Sequence, residues 1–459
     1  MSGDGLRRAE EKMRAAGQAD EAVRAFARAY QRVAEGESAL ISSSDLEQAA
    51  AVPTLGELPE SDPAQALGQV VSIKLNGGLA TTMGLQQPKS LVPAHQGLTF
   101  LDIIIGQTLA LRQRFGVRLP LLLMNSQATR EATLNALAHH PELDVGLPLE
   151  FMQSMIPKLE KEGMGPVDWP ANPALEWCPP GHGDVYGALR RSGALSALLE
   201  RGFRYAMISN SDNLGARIDP RIAGFVASEE IPFLMEVIEG SPAERKGGHI
   251  ARRRSDGQLV LREIAQTPPD EEESFRDYRR WRYYNANTIW LDLRRLSDVL
   301  EESQGVMELP LIVNRKTVDP RDPSSTPVIQ LESAMGAAIQ SFPGARLLCV
   351  PRSRFVPVKT TNDLLVIRSD VYRLAEDFVV EPAPERNGRM PFVDLDKRYY
   401  GMLDRFDAHF PAGPPSLSQA DGLTVEGEVT FGAGVVVRGT VKLETREPLS
   451  LPDGSVLTG

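Results

Sequence analysis

At 459 residues the chain has room for roughly two to four domains. Its 42% hydrophobic and 24% charged content is that of an ordinary globular protein, which sets aside long disorder, a collagen-like fibre and a disulfide scaffold. With 50 basic against 61 acidic residues the net charge is −11, the wrong sign for broad nucleic-acid binding, although a few local cations can still hold a small anion.

The chain opens on Met-Ser-Gly-Asp-Gly-Leu-Arg-Arg with no apolar leader, and no run of about 18 apolar residues follows. Its two cysteines, Cys178 and Cys349, form no CxxC pair, and no histidine cluster has metal-ligand spacing. The expectation is a cytoplasmic protein in a reducing compartment, without structural zinc and without membrane contact. Residues 6–35 place Val23, Phe26, Tyr30 and Val33 three and four apart, predicting one amphipathic helix. Three prolines between Ala51 and Pro63 mark a connector. Strand-like runs then alternate with helical patterns: strands near 70–75, 119–124, 147–152, 205–209 and 231–238, helices over 98–115 and 129–138. Such alternation favours a mostly parallel sheet covered on both faces. In the tail Val425, Phe431, Val437 and Leu443 recur every six residues, and Gly427, Ala433, Gly439 and Thr445 follow each by two. That period is the mark of a small parallel β-helix, with an antiparallel meander as the alternative.

No P-loop, no GxGxxG, no HExxH and no GxSxG is present, so the families they mark lose most of their weight. Four loops stand out. The first is Leu75-Asn76-Gly77-Gly78-Leu79-Ala80-Thr81-Thr82-Met83-Gly84, with Lys89 beyond it. Paired glycines with free N–H groups can cradle phosphate, or they can serve only the geometry of a turn. The second, Pro179-Pro180-Gly181-His182-Gly183-Asp184, can present main-chain groups to a base or sugar, or be a stiff surface turn. The third, Ser209-Asn210-Ser211-Asp212-Asn213, ends an apolar strand, where Asp212 is either a magnesium ligand or part of an Asx-turn. The fourth, 351–361, carries Arg352, Arg354 and Lys359 between prolines, a local positive spot or solvated charge.

Taken together these loops resemble the UTP–glucose-1-phosphate uridylyltransferase (UDP-glucose pyrophosphorylase) family of the eukaryotic type. The matching text is 74–83, Pro88-Lys89-Ser90, 98–102, Gln153-Ser154, 179–184, 209–219, Met235-Glu236-Val237, Lys246-Gly247-Gly248, Glu263-Ile264-Ala265-Gln266, Asn285-Ala286-Asn287, 328–332 and 351–363. It keeps one order from about residue 70 to the tail. The resemblance implies an α/β nucleotidyltransferase-type fold (Rossmann-like, GT-A-like), with a mixed sheet, helices on both faces and a C-terminal left-handed parallel β-helix. The expected division is an N-terminal helical segment (1–62), a catalytic domain (63–375), and a linker with the β-helix (376–459).

The implied reaction is UTP plus glucose 1-phosphate giving UDP-glucose and pyrophosphate, reversibly and with Mg²⁺. Neither nucleic acid nor membrane takes part, and a homo-oligomer is compatible with the family. By the motif match, Leu75, Asn76, Gly77 and Gly78 would hold the nucleotide through their backbone, with Lys89 on its phosphates. Gln153 and the Gly181 backbone would read uracil. His182, Asn210, Asn285 and Asn287 would face the sugar phosphate, and Asp212 would hold the metal there. Lys359 and Lys89 are the expected catalytic cations. The chain departs from the family at Ala80, where a glycine is usual; were positive φ required, alanine would cost roughly 1 kcal/mol. It departs again at Thr288, where an asparagine is usual, which is expected to loosen sugar selectivity. Rival readings are a broad-specificity UDP-sugar pyrophosphorylase and a non-catalytic UTP- or UDP-sugar-binding protein. Glycine-flanked 246–248 is a candidate lid.

Overall fold

The run Val70–Asn76 is buried at every position, as a strand covered on both faces must be. It is central in a ten-stranded sheet of the computed structural model, which describes residues 2–37, 40–80, 83–245 and 247–459. Thr81 and Thr82 of the glycine loop and Lys246 of the candidate lid lie outside the described residues. Tyr205–Asn210 and Leu121–Asn125 flank the central strand in parallel, and Glu150–Met152 extends the parallel block. The alternation of side chains divides the core. Leu121 and Leu123 pack with helix Phe100–Phe115, whereas Leu122 and Met124 pack with Val185–Arg191 and Ala194–Glu200. Helices therefore cover both faces. All four parallel strands point their carboxyl ends, at Asn76, Asn125, Met152 and Asn210, to one edge, where open α/β sheets bind ligands.

The sheet is mixed, not mostly parallel as the strand–helix alternation predicts. Tyr283–Asp292 runs antiparallel to both Tyr205–Asn210 and Phe233–Glu239. Between residues 239 and 283 the chain makes the short antiparallel strands His249–Arg253 and Leu259–Arg262, and its α-helix there among the described residues, Glu272–Phe275, is a single turn, too short for a crossover. A parallel return needs such a crossover, so this stretch forces the reversal. The single N-terminal helix is also corrected. Ser2–Ala15 and Asp20–Ala34 are two helices, parted where Gly17 takes φ +72° and Gln18 N–H closes back onto the Met13 carbonyl. Their apolar face, Val23, Phe26 and Tyr30 included, packs on Ile156, Cys178, Ile329 and Leu331.

In the tail every strand pairing is parallel, which removes the antiparallel meander. Val425, Phe431 and Val437 point into a core shared with Phe100, Ile104, Leu364 and Tyr400, and Leu443 packs partly buried against it. Ala80 and Met83 of the glycine loop belong to that same core. Among the described residues no helix is long and apolar enough to cross a membrane.

Candidate active site

At the strand ends the glycine loop folds back on itself. Leu79 bridges Pro88, Ala80 N–H donates to the Gln87 carbonyl, and Lys89 N–H donates to the Gly78 carbonyl at 3.1 Å. The lysine backbone thus returns to the glycines. Its Nζ donates to Asp212 Oδ2 at 2.7 Å. Asp212 Oδ1 is buried and accepts no hydrogen bond. The Asp212 carbonyl receives Val358 N–H at 3.1 Å, which sets Lys359 beside the same turn. Lys359 is exposed at the foot of helix Thr361–Arg368, where Asp363 accepts the Lys359 and Thr360 N–H groups. Its charge opposes the burial that pushes the Glu263 carboxyl up. Lys89 and Asp212 therefore meet, and the Lys359 backbone stands next to their turn.

The other two cations of that segment do not add to a positive spot. Arg354 turns inward and grips Glu236 with two 2.7 Å bonds, while Arg352 pairs with Glu244. The Glu236–Arg354 pair lies under the site beside Lys74, whose Nζ donates to Ser209 Oγ and the Ala216 carbonyl. Burial first, then the Arg354 charge, pushes the Lys74 ammonium down to about 7, with Glu236 opposing. Asn213 staples this floor to the turn above. Its Oδ1 accepts the Gly215 and Val356 N–H groups and its Nδ2 donates to the Arg354 carbonyl.

The neutral end begins at Gly77. A Cβ there would stand 2.6 Å from Gln153 Nε2, so only glycine admits the amide in this position, whereas Gly78 faces open space. Leu75 and Asn76 serve as scaffold. The Leu75 carbonyl takes Ser211 N–H, and Asn76 Nδ2 donates to Asn125 and Thr133. Gly181 sits at φ +82° against Ser333, where a Cβ would come within 2.4 Å of a carbonyl oxygen. Next to it His182 Nδ1 accepts Met335 N–H at 2.9 Å. That bond fixes the neutral tautomer with its proton on Nε2, and burial pushes the ring down to about 4.

Asn210 lies one residue past the last strand pair, Ser209 with Thr288, so Asn287 is its neighbour at the sheet end. The register shifts between Glu236 and Val237, where the opposite strand carries two extra residues, Ala286 and Asn287, and Asn287 takes φ +50°. Asn285 accepts Asn287 N–H and donates to its Oδ1, so it holds Asn287 rather than offering a free amide. Both departures from the family are buried. Ala80 is fully buried and its φ is not positive, so the alanine carries no backbone strain. Thr288 is fully buried between Ser209 and Glu236 and has no surface to offer a sugar.

What the sequence reading passes over is a tie between the neutral loops. Asp184 accepts from Ser154 N–H and from Arg191, and Arg191 also donates to Ser154 Oγ. The signal was faint but present: Arg191 follows Asp184 by seven residues along helix Val185–Arg191, which returns it to the same face.

The sequence profile of the UTP–glucose-1-phosphate uridylyltransferase family matches residues 23–438. The potato (Solanum tuberosum) protein named UTP–glucose-1-phosphate uridylyltransferase is 38% identical over 406 residues, 86% of this chain and 82% of its own. Among solved structures, a variant of UDP-glucose pyrophosphorylase from Leishmania major in complex with UDP-glucose superposes with a TM-score of 0.92 at 40% identity. The match covers 99% of this chain and 98% of that one. The Trypanosoma brucei structure described as UDP-glucose phosphorylase gives 0.91 at 41% identity, covering 99% and 100%.

Proposed function

The chain belongs to the UTP–glucose-1-phosphate uridylyltransferase family, and from that premise we propose how its own residues divide the work. The enzyme transfers a uridylyl group from UTP to glucose 1-phosphate, giving UDP-glucose and pyrophosphate. The phosphate oxygen of the sugar attacks the α-phosphorus of UTP and pyrophosphate departs. That nucleophile is already anionic, so no general base is needed. The barrier is repulsion between anions and charge gathering at phosphorus, which fixed cations and positioning relieve.

In this reading Lys359 neutralises the phosphates between which the bond forms, and Lys89 holds the nucleotide's phosphates over the Gly77–Gly78 backbone. The observation that carries it is the Lys89–Asp212 contact at the carboxyl edge of the sheet, with the Lys359 backbone next to the same turn. Asp212 fits a divalent cation: one buried carboxylate oxygen is without a hydrogen bond, and Mg²⁺ asks for one or two carboxylates beside substrate phosphates. When bound, Mg²⁺ would supply charge stabilisation to the phosphate oxygens. Among the described residues no group of three or more His, Cys, Asp or Glu is placed to hold a metal, so the substrate would complete the shell. Gln153 and the Gly181 N–H read the uracil edge. His182 Nε2–H, Asn210 and Asn287 take the sugar phosphate, with Asn285 bracing Asn287.

The tail, in the same reading, is a left-handed parallel β-helix, supported by parallel pairs twenty residues apart: Ser416 with Val436, Val429 with Leu449, Val436 with Val456. Two buried free thiols support a cytoplasmic setting.

The test is pyrophosphate release from UTP with glucose, galactose, xylose and N-acetylglucosamine 1-phosphates in parallel, with and without a chelator. Turnover with glucose 1-phosphate alone, abolished by the chelator, is the expected result. Comparable turnover with several sugars would replace the specific enzyme by the broad one. Turnover that survives the chelator would remove the metal role of Asp212.

A further inference from the structure

A carboxamide carries a donor and an acceptor side by side, and half a turn exchanges them. Uracil shows an N3–H donor next to the O4 acceptor. Cytosine shows an acceptor at N3 and an amino donor in place of O4. A Gln153 side chain left to rotate can satisfy either base, so Gln153 alone does not select UTP over CTP. Selection needs a second group that cannot change roles, held at a set distance from the first. The Gly181 N–H has that character. It is main-chain, it donates to no protein group among the described residues, and its φ of +82° is wedged against Ser333.

The separation of the two loops is set by a compact tie. Asp184 Oδ2 accepts Ser154 N–H at 2.6 Å, and Asp184 Oδ1 accepts Arg191 Nη2 at 2.6 Å. The same Nη2 donates to Ser154 Oγ at 2.6 Å. The residue after Gln153 is therefore bound to the residue three past Gly181 through one carboxylate and one guanidinium. Their side chains are only 10% and 11% exposed, where water competes little for such bonds. The fold makes room for the arrangement: a Cβ on Gly187 would stand 2.4 Å from Arg191 Nη1. On the far side Gln18, ahead of the second N-terminal helix, accepts Met155 N–H at 3.0 Å and steadies the same turn.

We propose that Asp184 and Arg191 are specificity-positioning residues, which hold the Gln153 and Gly181 loops in one register so that the site accepts uracil and rejects cytosine. They act through those loops, and the proposal rests on reading Gln153 and Gly181 as the base-reading pair. Loosening the tie frees the carboxamide to turn over and lets the loops part, so CTP gains more than UTP loses.

The experiment is the ratio of kcat/KM for UTP to that for CTP, measured by pyrophosphate release with saturating glucose 1-phosphate. It is taken for the wild type, Asp184→Asn, Arg191→Lys, Arg191→Ala and Gln153→Ala. Each ratio comes from one preparation, so any loss of folded enzyme cancels, and a merely structural role leaves it unmoved. Asp184→Asn and Arg191→Ala are expected to lower the ratio about tenfold or more, the scale at which unmatched polar groups discriminate. Arg191→Lys should fall between them and the wild type, because an ammonium keeps the charge but not the planar fork. Ratios within about twofold of the wild type in Asp184→Asn and Arg191→Ala, alongside a fall in Gln153→Ala, would overturn the positioning role while leaving the base reading intact. An unchanged ratio in Gln153→Ala would overturn the base reading itself and the proposal with it.

Discussion

At the end of the site proposed to take the phosphates, the groups are charged. Lys89 and Asp212 are 15% and 18% exposed, and Lys359 is exposed at the start of its helix. At the end proposed to read the base they are neutral, and close contacts fix them, Gly77 against the Gln153 side chain and Gly181 against the Ser333 backbone. The difference follows from the range of the forces. A cation acts over several ångströms and tolerates small displacements of its loop. Telling one base from another depends on short, directional bonds with water kept out, and a misplaced group there is simply unpaired. On the proposed reading, the site tolerates displacement where it does chemistry and demands fixed geometry where it reads.

The largest effect should come from the charged end. Lys359→Ala is expected to lower kcat on the order of 10²-fold or more, the scale of losing one transition-state charge stabiliser. UTP affinity, measured by equilibrium binding, should change much less. A variant within threefold of the wild-type kcat would mean that the cation beside the Asp212 turn is not the one that matters. At the neutral end Gly77→Ala should act the other way round. The new methyl meets only the far end of the Gln153 side chain, so the fold survives while the amide is displaced. KM for UTP should rise about tenfold, with kcat moved less. Equal losses in kcat and binding from both variants would erase the division between the two ends.

The sequence makes the charged end legible and leaves much of the neutral end hidden. Paired glycines followed by a lysine, and an aspartate at a strand end, are local patterns whose chemistry can be read without a fold. The Gly181 loop stood out by its prolines and glycines, but Gln153 entered only by family resemblance, because a glutamine in a turn carries no pattern of its own. The Asp184–Arg191–Ser154 tie joins residues about thirty apart whose meeting depends on tertiary packing. Arg354 shows the opposite error: a cation in a basic run reads as surface charge, yet it is buried on Glu236, a partner 118 residues away. The strands were found in place, but the reversal at Tyr283–Asp292 was not, since periodicity reports burial and says nothing of direction.

A smaller effect concerns His182. Its ordinary value is near 6.5, and burial holds it at about 4 in the folded chain. The unfolded chain takes up a proton near 6.5 and the folded chain does not until about 4, so this ring weakens the fold as pH falls through that window and has no effect above it. An NMR titration of the ring should show no protonation between pH 5.5 and 8. A midpoint near 6.5 would make His182 a cation at work and bring charge to the neutral end, against the contrast drawn above.

The smallest effect is expected at Thr288, and it tests how local sugar selection is. The side chain is fully buried, paired in register with Ser209 on one side and Glu236 on the other, and its hydroxyl reaches the Ala286 carbonyl only at 3.5 Å. Thr288→Val keeps the branched shape and removes that hydroxyl. The ratio of kcat/KM for glucose 1-phosphate to that for galactose 1-phosphate should stay within about twofold, since no contact with the sugar is removed. Asn287, one residue earlier, is thrown into the left-handed region by the bulge and set beside Asn210, so Asn287→Ala should shift the same ratio. If Thr288→Val shifted it as far as Asn287→Ala does, selectivity would be set by the packing beneath the bulge. The sugar side of the site would then share the enforced geometry of the base end instead of depending on the groups that face the ligand.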